Sequence, residues 1–345
     1  DPEYQKKVND RINLYNSAVT AWLGTAAAAV QPLKIAESLR TALIAVLPAG
    51  IVVTQASATL QLAHVSGPTI TSIAADDGGD ASLLKATWQS IKAAEDLPPN
   101  AENGKVVQIA PSGEDSFYLR ADTRGGLGFT EVRWVECPAV EHTPVSPFAI
   151  ATLHAGSLVV AASPAELEGL VPGITVPRVA GRKAGDDESS PAPAFVGRTI
   201  TYMGVFQDRL LIGSRNTLNA SRIGDYFNFY RTSALTVPDD DAVEVQGNSS
   251  EDDVLYHGVF FDRSLVLFGD KQQYVLSGKV PLTPATATMV QSSAHRDATH
   301  VRPVGVGDLL FFAKRDGSAS SLHQIAVGNV DDTTNSQDVT GQLDD

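Results

Sequence analysis

One cysteine, Cys137, stands in a chain of 345 residues, so no intrachain disulfide can form and no cysteine pair has zinc-knuckle spacing. That usage suits folding in a reducing cytoplasm. Basic residues are also short: 26 Lys plus Arg against 40 Asp plus Glu leave a formal charge of −14. Tight nucleic-acid binding takes its affinity from counterions displaced by Lys and Arg, so this balance argues against a phosphate-gripping chain. It suits a surface past which DNA slides without sticking. Long apolar runs are absent as well. Thr41 to Val53 is the most apolar stretch, and Pro48 and Gly50 interrupt it at a length too short to cross a bilayer, so no membrane anchor is expected. The first 15 residues are polar and charged, unlike a secretory leader.

Catalytic constellations are missing too. No Gly-x-Ser-x-Gly elbow occurs, and the histidines (His64, His142, His154, His257, His295, His300, His323) lack the paired helical spacing and adjacent Glu of a zinc protease. Arg124-Gly125-Gly126-Leu127-Gly128 is followed by no Lys-Ser or Lys-Thr, so it reads as a hairpin tip and not a phosphate loop. Asp76-Asp77-Gly78-Gly79-Asp80 lacks the downstream glutamate of a calcium loop. Asp239-Asp240-Asp241 and Glu251-Asp252-Asp253 offer carboxylates for glycoside chemistry, but they sit among Pro, Gly, Asn and Ser and read as solvated loops. No catalytic residue, cofactor or metal ligand is expected.

What the chain does contain is a pattern spelled three times. The copies are Gly204-Val205-Phe206-Gln207-Asp208-Arg209-Leu210-Leu211-Ile212-Gly213, then Gly258-Val259-Phe260-Phe261-Asp262-Arg263-Ser264-Leu265-Val266-Leu267-Phe268-Gly269, then Gly305-Val306-Gly307-Asp308-Leu309-Leu310-Phe311-Phe312-Ala313. Their leading glycines stand 54 and 47 residues apart. That interval suits a repeated sheet unit of about 40 to 50 residues, the size of a propeller blade. In the second copy two apolar runs flank Asp262-Arg263, and Gly269-Asp270-Lys271 turns the chain again before Gln273-Tyr274-Val275-Leu276, which predicts a three-stranded meander. Such a unit buries one face only against a neighbour, so it predicts an array and not a lone sheet. Three unrelated hairpins in an all-β domain would spell the same letters. Gly204, Phe206, Asp208, Gly258, Phe260, Asp262, Gly305 and Asp308 mark the repeat. With Phe260 interior, Phe260→Ala should cost about 3 kcal/mol.

At 43% apolar and 19% charged residues the composition is that of an ordinary globular protein, long enough for two or three domains. Residues 1–50 read as a helical segment. Val8, Ile12, Tyr15, Val19 and Trp22 share one face of a helix ending near Gly24, and Leu33, Ala36, Leu39, Leu43 and Val46 share the face of a second, ending at Pro48, the two packing on a small core. Residues 51–95 form a small α+β or β region, with strands at Val53, Thr59–Leu62 and Thr69–Ile73. Residues 96–165 form a β-rich domain with strands at Val106–Ile109, Phe117–Ala121 and Thr130–Val135. Residues 166–195, rich in Pro, Gly, Ala and charge, hold too few apolar side chains for a core and read as an exposed linker. Residues 196–345 carry the blades. The fold class expected is mainly β, with β-propeller-type blades and a smaller, platform-like α+β N-terminal region. The start without Met and the end at Leu343-Asp344-Asp345 suggest a segment of a longer polypeptide.

The motifs Phe195-Val196-Gly197, Phe206-x-Asp208-Arg209-Leu210, Ser221-Arg222-x-Gly224-Asp225-Tyr226-Phe227-Asn228-Phe229-Tyr230 and Asp239-Asp240-Asp241 occur in this order. Phe261-x-x-Ser264-Leu265-Val266-Leu267-Phe268, Gln273-Tyr274-Val275-Leu276, Leu282-Thr283-Pro284 and Arg302-Pro303-Val304-Gly305-Val306-Gly307-Asp308 follow. With Asp96-Leu97-Pro98-Pro99 and Phe117-Tyr118-Leu119-Arg120-Ala121-Asp122 upstream, residues 95–340 resemble the nozzle protein (tail tubular protein B) of short-tailed bacteriophages, the podoviruses. The resemblance implies a structural virion protein in the phage tail, folded in the host bacterial cytoplasm and bearing a β-propeller. It implies a homo-hexameric ring below the tail adaptor (gatekeeper) ring, tail fibres at that junction, and double-stranded DNA leaving through the channel without tight or sequence-specific binding. The pattern departs most between Glu136 and Pro193. Tyr226, Phe227, Phe229 and Tyr230 are expected on a half-buried strand between blades or at a subunit interface. The repeat and the acidic loops also fit a carbohydrate-binding or carbohydrate-cleaving β-propeller, an adhesin.

Overall fold

The computed structural model describes residues 2–78, 83–139, 148–247, 252–317, 319–327 and 334–340, and the chain divides into two units, Asp1–Cys137 and Pro138–Asp345. In the first unit, α1 (Pro2–Ala29) runs past Gly24, because the alanines that follow are the best helix formers and the next breaker is Pro32. α2 (Pro32–Val46) opens with Pro at its first turn and stops at Leu47, held extended ahead of Pro48. The small helical core expected from the sequence is absent among the described residues. Tyr4, Ile12, Tyr15 and Trp22 are exposed, and Ala36 is the one buried apolar side chain among those described on either helix.

β1 (Ile51–Ala56) and β2 (Thr59–His64) form a hairpin, whereas residues 69–73 are not a strand and find no partner edge. β3 (Ser90–Ile91), β4 (Asn100–Glu102), β5 (Val106–Ile109), β6 (Phe117–Thr123) and β7 (Phe129–Cys137) make a five-stranded sheet in the order β3-β5-β6-β7-β4. Val107, Ile109, Phe117, Ala121 and Cys137 fill its core. The Arg124–Gly128 run is the β6–β7 hairpin tip, with Gly126 and Gly128 in left-handed conformations.

The second unit begins with the hairpin β8 (Ile150–His154) and β9 (Ser157–Ala161), followed by α3 (Pro164–Leu170), which Ser163 caps by accepting the Glu166 amide at 3.2 Å. The segment from residue 164 to 193 is mostly irregular backbone but is not a solvated linker. Leu167, Val171 and Val176 bury against Ala161, and Ala184, Arg182 and Ser190 are buried too. A few apolar anchors at wide spacing suffice because the rest of the unit supplies their partners, which composition alone does not reveal.

Three antiparallel meanders follow, each of four strands where the sequence predicted three. The first is β10 (Tyr202–Phe206), β11 (Arg209–Ser214), β12 (Thr217–Ala220) and β13 (Val243–Gln246). The second is β14 (Leu255–Phe261), β15 (Ser264–Gly269), β16 (Gln273–Leu276) and β17 (Met289–Ser293). The third is β18 (Val304–Val306), β19 (Leu309–Asp316), β20 (Ala319–Val327) and β21 (Thr334–Asp338). β15 is buried along its whole length, because its two faces serve different neighbours. Leu265 and Leu267 pack with Tyr202, Phe206, Leu211 and Leu218 of the first meander. Val266 and Phe268 pack with Leu310, Phe312 and Ile325 of the third. Consecutive meanders therefore stack face to face, and β10, β14 and β18 lie side by side.

The repeat glycines have a steric reason in two of three copies. The Tyr202 ring lies over Gly204, Gly213 and Gly258, and a Cβ at Gly204 or Gly258 would collide with its hydroxyl end, whereas a Cβ at Gly305 meets nothing within 4 Å. Gly258→Ala is therefore expected to lower stability by about 1–3 kcal/mol through overpacking. Gly305→Ala should be neutral or slightly stabilising, since it only restricts the unfolded chain. Urea titration of both variants checks the contrast.

Candidate functional site

The motif residues that lie far apart in sequence meet beneath the β10–β11 hairpin. Gln207 and Asp208 form its two-residue turn with φ of 47° and 57°, the pattern of a twisted I′-type hairpin, in a left-handed region that L residues occupy at a cost. Outside contacts hold it there. The Tyr226 hydroxyl donates to Asp208 Oδ1 at 2.5 Å, and the Gly224 amide donates to the Asp208 carbonyl at 2.9 Å. Gln207 reaches the second meander, accepting the Leu282 amide at 2.6 Å and donating to the Val280 carbonyl at 3.2 Å.

Arg209, the next residue, is fully buried. Its guanidinium donates to the carbonyls of Ser221 at 2.8 Å, Asp241 at 2.5 Å and Asp239 at 2.9 Å, tying both ends of the β12–β13 connection to the hairpin. Burial pulls the pKa of this arginine down, while Asp240 and Asp241 oppose the shift. Arg222 grips Asp240 Oδ2 through Nε at 2.9 Å and Nη2 at 2.6 Å, and that hydrogen-bonded pairing holds the Asp240 carboxyl below its usual range. Asp241, also fully buried, accepts the Thr232 amide at 3.0 and 3.1 Å. The Asp239–Asp241 triplet is thus not a run of three solvated acids: one is exposed, one is ion-paired and one is a buried backbone cap. In this arrangement the carboxylates of Asp240 and Asp241 are committed to holding the chain.

The aromatic run is not a strand either. Tyr226 to Tyr230 lie in the same connection, with Phe229 edge-on to Phe195 at 4.9 Å between ring centres, Phe227 tilted on Phe148 at 6.3 Å, and Tyr230 beneath the Arg182 guanidinium at 5.8 Å. Phe195, Phe229 and Ile212 thereby cover the face of the first meander that turns away from the second.

The second acidic group divides likewise. Asp252 pairs with Arg215 at 3.2 Å at the surface, Asp253 is buried, and Glu251 lies outside the described residues. Among the histidines, His257 Nε2 meets the Thr299 carbonyl at 2.8 Å, His295 stacks on His323 at 5.1 Å between ring centres, and His142 lies outside the described residues. No group of three His, Cys, Asp or Glu that could hold a metal occurs among the described residues.

The repeat residues do not superpose as the sequence aligned them. Phe206 faces Arg209 across its turn, and Phe261, not Phe260, faces Ser264 across Asp262-Arg263. The second copy carries one more residue before its turn, and a one-residue slip sends each side chain to the opposite face. Phe206 and Phe261 are consequently buried, while Phe260 is 66% exposed at the rim. Gly307-Asp308 form the third turn, so Asp208 and Asp308 take its second position and Asp262 its first. Arg209, Gln207 and Tyr202 carry the junctions, and the sequence reading passed over them. The one available signal was a cation opening the apolar strand Arg209-Leu210-Leu211-Ile212.

An apolar surface completes the picture. On the first strands Met203, Val205, Phe260, Val304 and Val306 are exposed, and on the third meander Leu322 joins Val304 and Val306 on the face turned away from the second. No helix among the described residues is long and apolar enough to cross a membrane.

Stacked meanders, carboxylates spent on backbone and arginine contacts, and an open apolar face describe a building block. Comparison with known proteins agrees: the family model for the bacteriophage nozzle protein matches residues 3–344, and the chain belongs to that family of structural phage tail proteins. The tail tubular protein gp12 of Escherichia phage T7 is 27% identical over 288 residues, a match covering 81% of this chain and 34% of that relative. The chain thus spans about a third of the length of the relative it matches.

Proposed function

We propose that this chain is part of a nozzle-ring subunit whose meanders are blades of a β-propeller in the wall of a genome-ejection channel, a structural role without an enzymatic reaction. The face-to-face packing of the second meander between the first and third carries the reading. Every inward face there is satisfied by a neighbouring sheet, and the third meander ends on the apolar face of Val304, Val306 and Leu322, which a further four-stranded sheet of the full protein fits. The assembly proposed is a homo-hexameric ring below the adaptor ring, with tail fibres at that junction. The charge of −14 supports passage of DNA without adhesion.

Native mass spectrometry of the full-length protein, with a protein inventory of purified virions, tests this. Six-membered rings and presence in the tail are expected. A monomer absent from virions overturns it, and glycan binding or hydrolysis lost on changing Asp240 or Asp252 would turn the reading towards a carbohydrate-handling protein.

A further inference from the structure

Two buried carboxyl groups stand at one end of the second meander, Asp297 where it meets the third and Asp253 inside the second, linked through Asp270. The connector between β17 and β18 stitches the two together: the Asp297 amide donates to the Asp270 carbonyl at 3.2 Å in the second, while Ala298 donates to Ala313 and Arg315 donates to Arg296, each at 2.8 Å, along β19 of the third. At this seam the Asp297 side chain is 4% exposed, and neither carboxyl oxygen has a hydrogen-bond partner among the described residues. A buried, unpartnered carboxylate is costly, whereas its neutral form is tolerated.

The second group lies just before β14. Asp253 is fully buried, its Oδ1 accepting the amides of Val254 at 2.8 Å and Lys271 at 3.1 Å and its Oδ2 accepting the Tyr274 hydroxyl at 3.1 Å. Asp270 Oδ1 approaches the same Val254 amide at 3.3 Å, so two carboxyl groups converge on one donor. Like charges this close favour one shared proton.

We propose that this seam is a proton-locked joint, closed while Asp297 is neutral and Asp253 and Asp270 share a proton, and loosened as those protons leave. Burial pushes Asp297 up to about 7, and burial with the Asp270 hydrogen bond pushes Asp253 up to about 6. A folded state that holds protons above the ordinary carboxylate range loses stability as pH rises from that range through about 6 and about 7. The charged neighbours are Lys314, the bridge partner of Asp297 on β19; Lys271, which gives Asp253 its amide; and the Asp252–Arg215 pair. His295 precedes Asp297 by two residues and stacks on His323, whose Nε2 lies 3.9 Å from Asp338. Burial lowers the pKa of His295, so it titrates in the opposite sense, and variants at Asp297 separate the two effects.

Hydrogen exchange of the full-length protein, corrected for intrinsic rates and read on peptides covering β19 and β20, tests the joint. Protection should fall between about pH 5 and about pH 8, up to tenfold per pH unit for each proton released. Asp297→Asn should flatten that dependence and protect the third meander more at the upper end. Isotope-edited infrared spectroscopy of the unmodified protein guards against a variant that misfolds, and a protonated carboxyl band persisting towards neutral pH is expected. Protection independent of pH, a dependence unchanged in Asp297→Asn, or complete ionisation of all carboxyls by about pH 5 overturns the proposal.

Discussion

Arg209→Met is expected to cost about 3–5 kcal/mol, because it removes the donors from three carbonyls and leaves Ser221 and Asp241 buried without their partner. Methionine retains much of the volume, so the loss reports the polar contacts more than a cavity. Arg209→Lys should recover only part of it, since one ammonium cannot span carbonyls that the planar guanidinium reaches with two nitrogens. Equilibrium unfolding in urea, followed by hydrogen exchange on peptides of the second unit because Trp22, Trp88 and Trp134 all lie in the first, measures both. A loss below about 1 kcal/mol for Arg209→Met would mean that the β12–β13 connection is held by something other than this arginine.

The second large effect distinguishes two adjacent rings. Phe261→Ala should cost about 3–5 kcal/mol, because the ring fills the space between the second and third meanders beside Val266, Phe268 and Phe312. Phe260→Ala should cost less than about 1 kcal/mol, for a ring that is 66% exposed and touches Phe206 at 6.1 Å between centres. The same unfolding titration applies. Equal losses would contradict the register of β14 on β15.

That pair also shows what was and was not legible in the sequence. The apolar run Leu265–Phe268 between two turn signals announced a strand and the repeat implied an array, but burial of both its faces shows only in the stacked meanders. Which phenylalanine faced inward was hidden, because Phe260 and Phe261 are chemically alike and the choice rests on a turn formed by Asp262 and Arg263, both at positive φ. The fourth strands were missed for a different reason: Val243–Gln246 is short, half polar and reached through a long connection, and Thr334–Asp338 is short and wholly polar, so pairing with an existing edge and not local pattern defines them. Arg209 was illegible as a core residue because its acceptors lie up to 32 residues away. The acidic triplets misled by the same route, since Asp241 and Asp253 read as surface charge until tertiary partners are seen.

The central claim is that these meanders are wall elements of a conduit. Electron cryo-microscopy of the intact virion tail, viewed along its axis, measures this directly. The account predicts each copy's three meanders as adjacent four-stranded blades around an open channel, with the Val304, Val306 and Leu322 face covered by a further sheet. Density that places residues 202–338 away from any channel, or shows the three sheets separated with their apolar faces unpacked, would contradict it.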